Sequence, residues 1–301
     1  MADDDRLTIA VDTVRALVAD QFPQWAGLEI RQVGVNGWDN STFHLGEAMK
    51  IRLPTAIRYQ PQVEKEALLL PHLASHLPYQ VPEPVAIGQP GHGYPFSWSV
   101  QSFLPGETIS ATPSPNRNQL ALDIAAYLTV LHRVPTGDAP PPGPHNFFRG
   151  GALSVYDAET KACLMRSAGR IDAEAAAAVW QRALSSRWTA APVLVHGDVS
   201  PGNLLLRDGR FCAVIDFGCC GIGDPACDLM MAWTFFDGDN RTLFRNTLRL
   251  DAETFARARG WTLWKALLEL DKPDLQGQAQ ALTVIAALIA EHQAETGGRG
   301  F

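Results

Sequence analysis

The chain has 301 residues, of which 46% are hydrophobic and 19% charged, and its formal net charge is −7. That length fits one large or two small domains with a real core, and the composition is that of an ordinary globular protein. The acidic balance excludes the basic stripe of a nucleic-acid binder, and no uncharged apolar run reaches the roughly 18 residues of a membrane span. Met1 to Asp5 lack the basic and apolar regions of a signal peptide. Five cysteines without a C-x-x-C pair read as reduced thiols rather than a zinc site. The expectation is a cytoplasmic protein with no obligate protein partner.

A first helix is predicted from about Leu7 to Phe22, with Ile9, Val14, Leu17 and Val18 on one face and Asp3 to Asp5 favouring its start. Strands follow at Leu28 to Val35, Thr42 to Leu45 and Ala48 to Leu53, with a polar turn at Gly34 to Asn40. Val63 to Leu77 reads as a helix interrupted by Pro71, Val81 to Pro84 as an extended connection, and Trp98 to Phe103 as another strand. The texture changes after Leu104-Pro105-Gly106-Glu107, which divides the chain into residues 1–105 and 106–301. The second part contains a helix at Gln119 to Leu131, a proline loop at 140–144 and a mainly helical stretch at 153–188. A hairpin runs from Leu204 to Ile215 through an Asp208-Gly209 turn. Helix resumes at Pro225, Ala279 to Glu291 makes a final amphipathic helix, and Gly297 to Gly300 is a frayed tail. The fold class is α+β: a small N-terminal lobe built on an antiparallel sheet and a larger, mainly helical C-terminal lobe.

The chemistry is concentrated in Val195-His196-Gly197-Asp198-Val199-Ser200-Pro201-Gly202-Asn203 and Ile215-Asp216-Phe217-Gly218. Asp198 is placed to accept the proton of an acceptor hydroxyl. Asn203 lies five residues on, and Pro201-Gly202 turns the loop back so that its carboxamide can reach a metal beside Asp198. Asp216 follows an apolar strand and offers carboxylate oxygens to magnesium. His196 reads as a hydrogen-bonding brace of this loop, and Asp224 and Asp228 as caps and braces behind it. The order and spacing match the H-x-D-x-x-x-x-N loop and D-F-G site of the protein-kinase template.

In the first lobe, the turn Asn36 to Thr42 offers backbone N–H groups and the Ser41 hydroxyl to phosphates. Lys50 and Arg52, two apart on one strand, face the same way, while Met49, Ile51 and Leu53 face the other. Either cation suits a triphosphate, with Glu64 or Glu66 on the next helix as its ion-pair partner. Gln101 to Leu104, Phe103 included, reads as the hinge that meets the base.

These motifs resemble the aminoglycoside phosphotransferase family of antibiotic and small-molecule kinases, which shares the protein-kinase fold. The resemblance runs from about Gly34 through Asp228 and is carried by Gly37 to Phe43, Ile51 to Pro54, Glu64 to Glu66, Leu104 to Glu107, and the two catalytic motifs with Gly223-Asp224-Pro225. It implies a bilobal protein-kinase-like fold. Residues 1–105 would bind ATP or GTP, and 106–301 would carry catalysis and the acceptor. By position it implies Asp198 as base, Asn203 and Asp216 as Mg2+ ligands, and Ser41 in the phosphate loop. The family's sheet lysine corresponds to Arg52, a departure that leaves the clamp divided between Lys50 and Arg52.

The implied reaction moves a γ-phosphate to a hydroxyl of a small molecule, an aminoglycoside first and a macrolide, choline, homoserine or sugar as alternatives. A polycationic acceptor calls for carboxylates, for which Asp237, Asp239, Glu269, Asp271 and Asp274 are candidates. An inactive nucleotide-binding scaffold is the rival of another class, and the intact Asp198, Asn203 and Asp216 argue against it. A peptide-directed kinase is disfavoured because the chain has neither a glycine-rich loop nor an A-P-E segment.

Overall fold

The computed structural model describes residues 5–34 and 37–297. Expectations placed on Asp3, Asp4, Val35, Asn36 and Gly298 to Gly300 lie outside the described residues. The first helix, α1 (Val11–Gln21), is shorter than predicted and ends before Pro23. Strands β1 (Ile30–Gln32), β2 (Asn40–Leu45) and β3 (Met49–Pro54) form an antiparallel meander, and β3 continues onto β5 (Trp98–Ser102). The extended segment around Pro84 is itself a strand, β4 (Pro84–Gly88), which completes a five-stranded sheet in the order β1-β2-β3-β5-β4. Its proline stands first in an edge strand, where the missing N–H breaks no ladder.

Period-two alternation determines which face of this sheet is buried. Phe43, Leu45, Ile51, Leu53, Trp98 and Val100 turn inward onto Val14, Leu17 and Val18 of α1, all of them nearly or fully buried. The opposite face carries Lys50 and Arg52 and forms one wall of a cleft.

Helix α2 (Pro61–His76) begins with Pro61 at its first position and runs through Pro71 without a break. An internal proline costs about 3 kcal/mol or more. Here Leu69, Leu70 and Leu73 bury their side chains on both sides of the exposed Pro71, each worth about 1.5–3 kcal/mol. Those leucines join the core of the larger helical part, so α2 packs between the two regions of the chain.

The helical part contains α3 (Arg117–Leu131), α4 (Asp157–Arg166), α5 (Ala173–Ser185), α6 (Met231–Thr234), α7 (Gly238–Leu248), α8 (Ala252–Leu270) and α9 (Leu275–Gly297). Its small sheets are functional rather than architectural. Strand β6 (Glu107–Thr108) pairs with β8 (Leu204–Arg207), β8 with β9 (Arg210–Val214), and β7 (Val193–Val195) with β10 (Gly221–Gly223). The β8–β9 turn has positive φ at Asp208 (53°) and Gly209 (73°), the conformation a two-residue D-G hairpin demands. Gln80 docks on this hairpin through backbone bonds to Cys212 and Val214 at 3.0 and 2.9 Å. No helix among the described residues is long and apolar enough to cross a membrane.

Deep in this part, Arg257 of α8 donates from Nε to Asp224 Oδ2 at 2.6 Å and from Nη1 to Ser186 Oγ at 2.8 Å, with both charged side chains buried. Asp224 also caps the short helix at Pro225–Leu229 by accepting from the Ala226 N–H at 3.0 Å. Removing one partner of such a pair strands a buried charge at a cost of about 3–5 kcal/mol. Arg257→Ala is therefore expected to lower the urea midpoint by a corresponding amount. An unchanged midpoint would show that Asp224 needs no counter-ion.

Candidate active site

Two loops and one strand converge on a cleft of about 630 Å³ lined by Asp39, Lys50, Arg52, Phe103, Asn203 and Asp216 among others. The catalytic-type loop after β7 is held from behind. Asp228, fully buried, accepts the backbone N–H of His196 at 3.0 Å and of Gly197 at 2.7 Å. His196 Nε2 donates to the Ile215 carbonyl at 3.1 Å, which makes Nδ1 the acceptor of the Asp198 N–H at 3.2 Å. The histidine is thus a neutral brace with both nitrogens occupied, tying the Asp198 loop to the strand that ends at Asp216. Gly197 has φ 81°, and a Cβ there would lie 2.4 Å from the Cys219 carbonyl oxygen, so the loop admits no side chain at this point.

Asp198 is half-buried and held on both oxygens. Asn203 Nδ2 donates to its Oδ2 at 3.1 Å and to its backbone carbonyl at 2.9 Å, closing the five-residue turn. Lys265 Nζ, from α8, donates to Oδ1 at 2.7 Å. Burial alone would raise this carboxyl, but the Lys265 ammonium, with the Arg149 guanidinium farther off, brings it down to about 2. Asp216 adopts a left-handed backbone, φ 65° and ψ 67°, which is strained for a non-glycine residue and turns it out of β9's path into the cleft.

Arg52 sits between two carboxylates. Its Nη1 donates to Glu66 Oε1 and Oε2 at 2.7 and 2.9 Å, and its Nη2 to Asp216 Oδ1 at 2.5 Å. Burial disfavours the charge, yet the two carboxylates keep the guanidinium protonated well above its ordinary range. Of the two expected partners Glu66 is the one used, while Glu64 is exposed. Lys50 lines the same wall, and burial and the charge of Arg52 push its ammonium down to about 8. Asp39, in the loop before β2, is raised to about 6 by burial, offset in part by a 3.1 Å hydrogen bond from Gln62, with Asp216 and Asp198 adding repulsion.

Two expected nucleotide residues stand elsewhere. Ser41 shares the sheet face of Phe43 and Leu45, and the cleft side of β2 is formed by Asn40 and Thr42 instead. Gln101 is buried inside the sheet, in register with both Lys50 and Pro84, and donates to Glu66 Oε2 at 3.0 Å. It supports the Arg52 pair, and the hinge wall of the cleft is made by Phe103 and Leu104.

The carboxylates expected around an acceptor are engaged. Asp237 pairs with Arg117 at 3.0 Å, Glu269 with Lys272 at 2.7 Å and Asp271 with Arg166 at 2.6 Å. Asp274 accepts the N–H groups of Gln276 and Gly277, and Asp239 lies in the first turn of α7. Trp233, Phe236, Trp261 and Trp264 are core residues, whereas Phe235 lines a second cavity of about 560 Å³. That cavity abuts the cleft at Ser110 and Gly202.

Three side chains to which the sequence reading gave no role of their own bear on the site. Lys265 lies 67 residues beyond Asp198 and is brought to it only by α8. Lys65 holds the segment after Asp216 by donating to the Gly218 carbonyl at 2.6 Å. Arg149 is buried with its guanidinium over Trp261 and Trp264, 5.2 and 4.8 Å from their ring centroids. Among the described residues no cluster of three His, Cys, Asp or Glu side chains is placed to hold a metal. Asn203 and Asp216 are a two-residue oxygen set, which suits Mg2+ because that ion completes its shell with water and substrate phosphate.

Residues 29–270 match the family model described as the phosphotransferase enzyme family. No curated protein matches the sequence. Solved structures with similar folds include the GDP complex of wild-type aminoglycoside 2'-phosphotransferase-IIIa. That comparison has a TM-score of 0.72 and 17% identity, covering 94% of this chain and 100% of that one. The GDP and kanamycin complex of APH(2")-IIIa gives 0.68 and 19%, covering 96% and 99%. Macrolide 2'-phosphotransferase type I gives 0.61 and 20%, covering 95% and 98%. The α+β, kinase-like fold is shared with all three, and the chain belongs to the phosphotransferase enzyme family, whose reaction moves a phosphoryl group to a hydroxyl acceptor.

Proposed function

We propose that this chain is a small-molecule kinase that transfers the γ-phosphate of Mg2+-bound ATP or GTP to a hydroxyl of an aminoglycoside-type antibiotic, in the cytoplasm. Residues 1–105 would bind the nucleotide, and residues 106–301 would carry catalysis and the acceptor. The observation that carries the reading is one cleft lined by Asn203, Asp216, Lys50 and Arg52, with Asn203 bonded to Asp198 and Arg52 to Asp216. The folds most like this one include enzymes named for aminoglycosides and for a macrolide, two with GDP bound.

In this reaction the acceptor O–H bond breaks, its oxygen bonds to the γ-phosphorus, and the bond from phosphorus to the β–γ bridging oxygen breaks. Asp198 takes the acceptor proton, and the nucleoside diphosphate leaves with the bridging electrons. Asn203 orients Asp198 from one side, and Asp228 and His196 fix the loop beneath it. Asn203 and Asp216 would hold Mg2+, which supplies charge neutralisation of the phosphates. Arg52 aligns α2 with the cleft through Glu66. Lys50, which forms no ion pair among the described residues, is the cation available to the phosphates.

Asp198→Asn is expected to lower kcat by about 10²–10⁴-fold, the range for loss of a general base, with nucleotide Kd little changed. Diphosphate release at the wild-type rate would sink the assignment. Lys50→Met is expected to raise nucleotide KM about tenfold, equivalent to about 1.4 kcal/mol, with an unchanged urea midpoint. A lysine is charged below its pKa, so wild-type nucleotide affinity should be highest below pH 8 and fall as Lys50 deprotonates near that value. The Lys50→Met profile should be flat over the same interval. A wild-type profile that is already flat would remove Lys50 from the phosphate site.

A further inference from the structure

The cavity beside the cleft adjoins Asp198: Val199 and Ser200 of its loop and its partner Lys265 line it, so an acceptor seated there would present a hydroxyl to Asp198. Its wall is rich in neutral polar groups, from Ser110, Thr112, Ser200, Thr234 and Gln280, and carries two cations, Lys265 and Arg117. Among the described residues no Asp or Glu lines it. Asp198, the carboxylate that the lining residue Lys265 reaches, is already matched by it at 2.7 Å. Arg117 is balanced by Asp237 at 3.0 Å, a residue outside the lining. An ammonium group beside the reacting hydroxyl would therefore approach the Lys265 ammonium with no free carboxylate to receive it. Like charges brought together in a partly desolvated site repel more strongly than they would in water.

We infer that Lys265 determines acceptor specificity by local charge. The ring seated against Asp198 carries hydroxyl or other uncharged oxygen groups next to the reacting hydroxyl, and any ammonium groups of the acceptor lie outside this cavity. This rests on the kinase reading above and adds to it which part of an aminoglycoside or other polyol is presented. The neutral hydroxyl and amide groups of the wall suit a polyhydroxylated ring, which they can meet by donating or accepting. Discrimination by an unpaired charge is a repulsive device, and it needs no contact with the favoured acceptor.

The test uses acceptors that differ by one hydroxyl for one amino group: glucose and glucosamine, kanamycin A and kanamycin B, paromomycin and neomycin. Acceptor-stimulated diphosphate release would give kcat/KM for each, with wild type, Lys265→Gln and Lys265→Arg. The wild type is expected to favour the hydroxyl member of at least one pair by about tenfold or more, equivalent to about 1.4 kcal/mol. Lys265→Gln, which keeps a donor to Asp198 but loses the charge, should bring that ratio towards one, and Lys265→Arg should retain it. The ratio is taken within one variant, so a general loss of activity cancels. Preference for the amino member throughout, or a ratio unmoved in Lys265→Gln, would overturn the inference. Nucleotide binding without turnover of any hydroxyl member would also count against it. Failure to bind nucleotide would instead overturn the kinase reading itself.

Discussion

The guanidinium of Arg52 is bound by carboxylates from two distant parts of the chain, and the geometry of the cleft depends on that bond set. Glu66 comes from α2 and Asp216 from the end of β9, so one side chain on the sheet fixes both the helix and the strained loop. Gln101 completes the arrangement by donating to Glu66 from within the sheet. A buried charge held this way is costly to leave unpaired, and the penalty for losing one partner keeps the three elements in register. Lys65, one residue before Glu66, reinforces the same contact by reaching Gly218. Glu66 therefore holds Asp216 only through Arg52, and Lys65 holds the backbone two residues beyond it. A close fit accompanies this grip: a Cβ on Gly218 would stand 2.7 Å from the Gln62 side chain.

The opposite wall is organised around a neutral loop rather than a charged one. Asp228 absorbs two backbone N–H groups that would otherwise be buried without partners, and His196 uses both ring nitrogens on the backbone. What the loop leaves half-exposed is Asp198, whose charge is matched by Lys265 from α8. The consequence is a carboxylate held ionised beside a cavity that, among the described residues, no Asp or Glu lines. Phosphoryl transfer asks mainly for positioning and charge balance, and both are supplied here by contacts that cross from one structural element to another.

How much of this was legible in the sequence depended on whether the interaction was local. Period-two spacing placed Lys50 and Arg52 on one face and Met49, Ile51 and Leu53 on the other, as found, because a strand's pleat is a property of adjacent residues. The same rule, applied strictly, puts Ser41 with Phe43 on the core side, so the cleft-side positions are Asn40 and Thr42. The five-residue return from Asp198 to Asn203 and the D-G hairpin were equally readable, since a short loop's geometry follows from its turn residues. Pro71 misled, because a proline's local cost says nothing of the leucines that hold the helix on either side. Lys265 and Arg149 left no trace in the sequence: nothing within a turn of either marks it, and only the packing of α8 and of the 144–150 loop brings them near Asp198.

Arg52, at the position where the resemblance implies a lysine, shows why such departures need the structure before they can be judged. A lysine ammonium is a compact charge that satisfies one carboxylate well, whereas a guanidinium offers separate donors in a fixed plane. Here Nη1 serves Glu66 and Nη2 serves Asp216 at once, an arrangement a single ammonium would have to share from one point. The arginine is thereby drawn into the framework of the cleft. Lys50, two residues earlier on the same face, forms no ion pair among the described residues, and burial and the neighbouring arginine push its ammonium down to about 8. Arg52 thus fixes the elements, while Lys50 beside it lines the cleft without being drawn into that bond set. A strand that places both on one face is what makes that contrast possible.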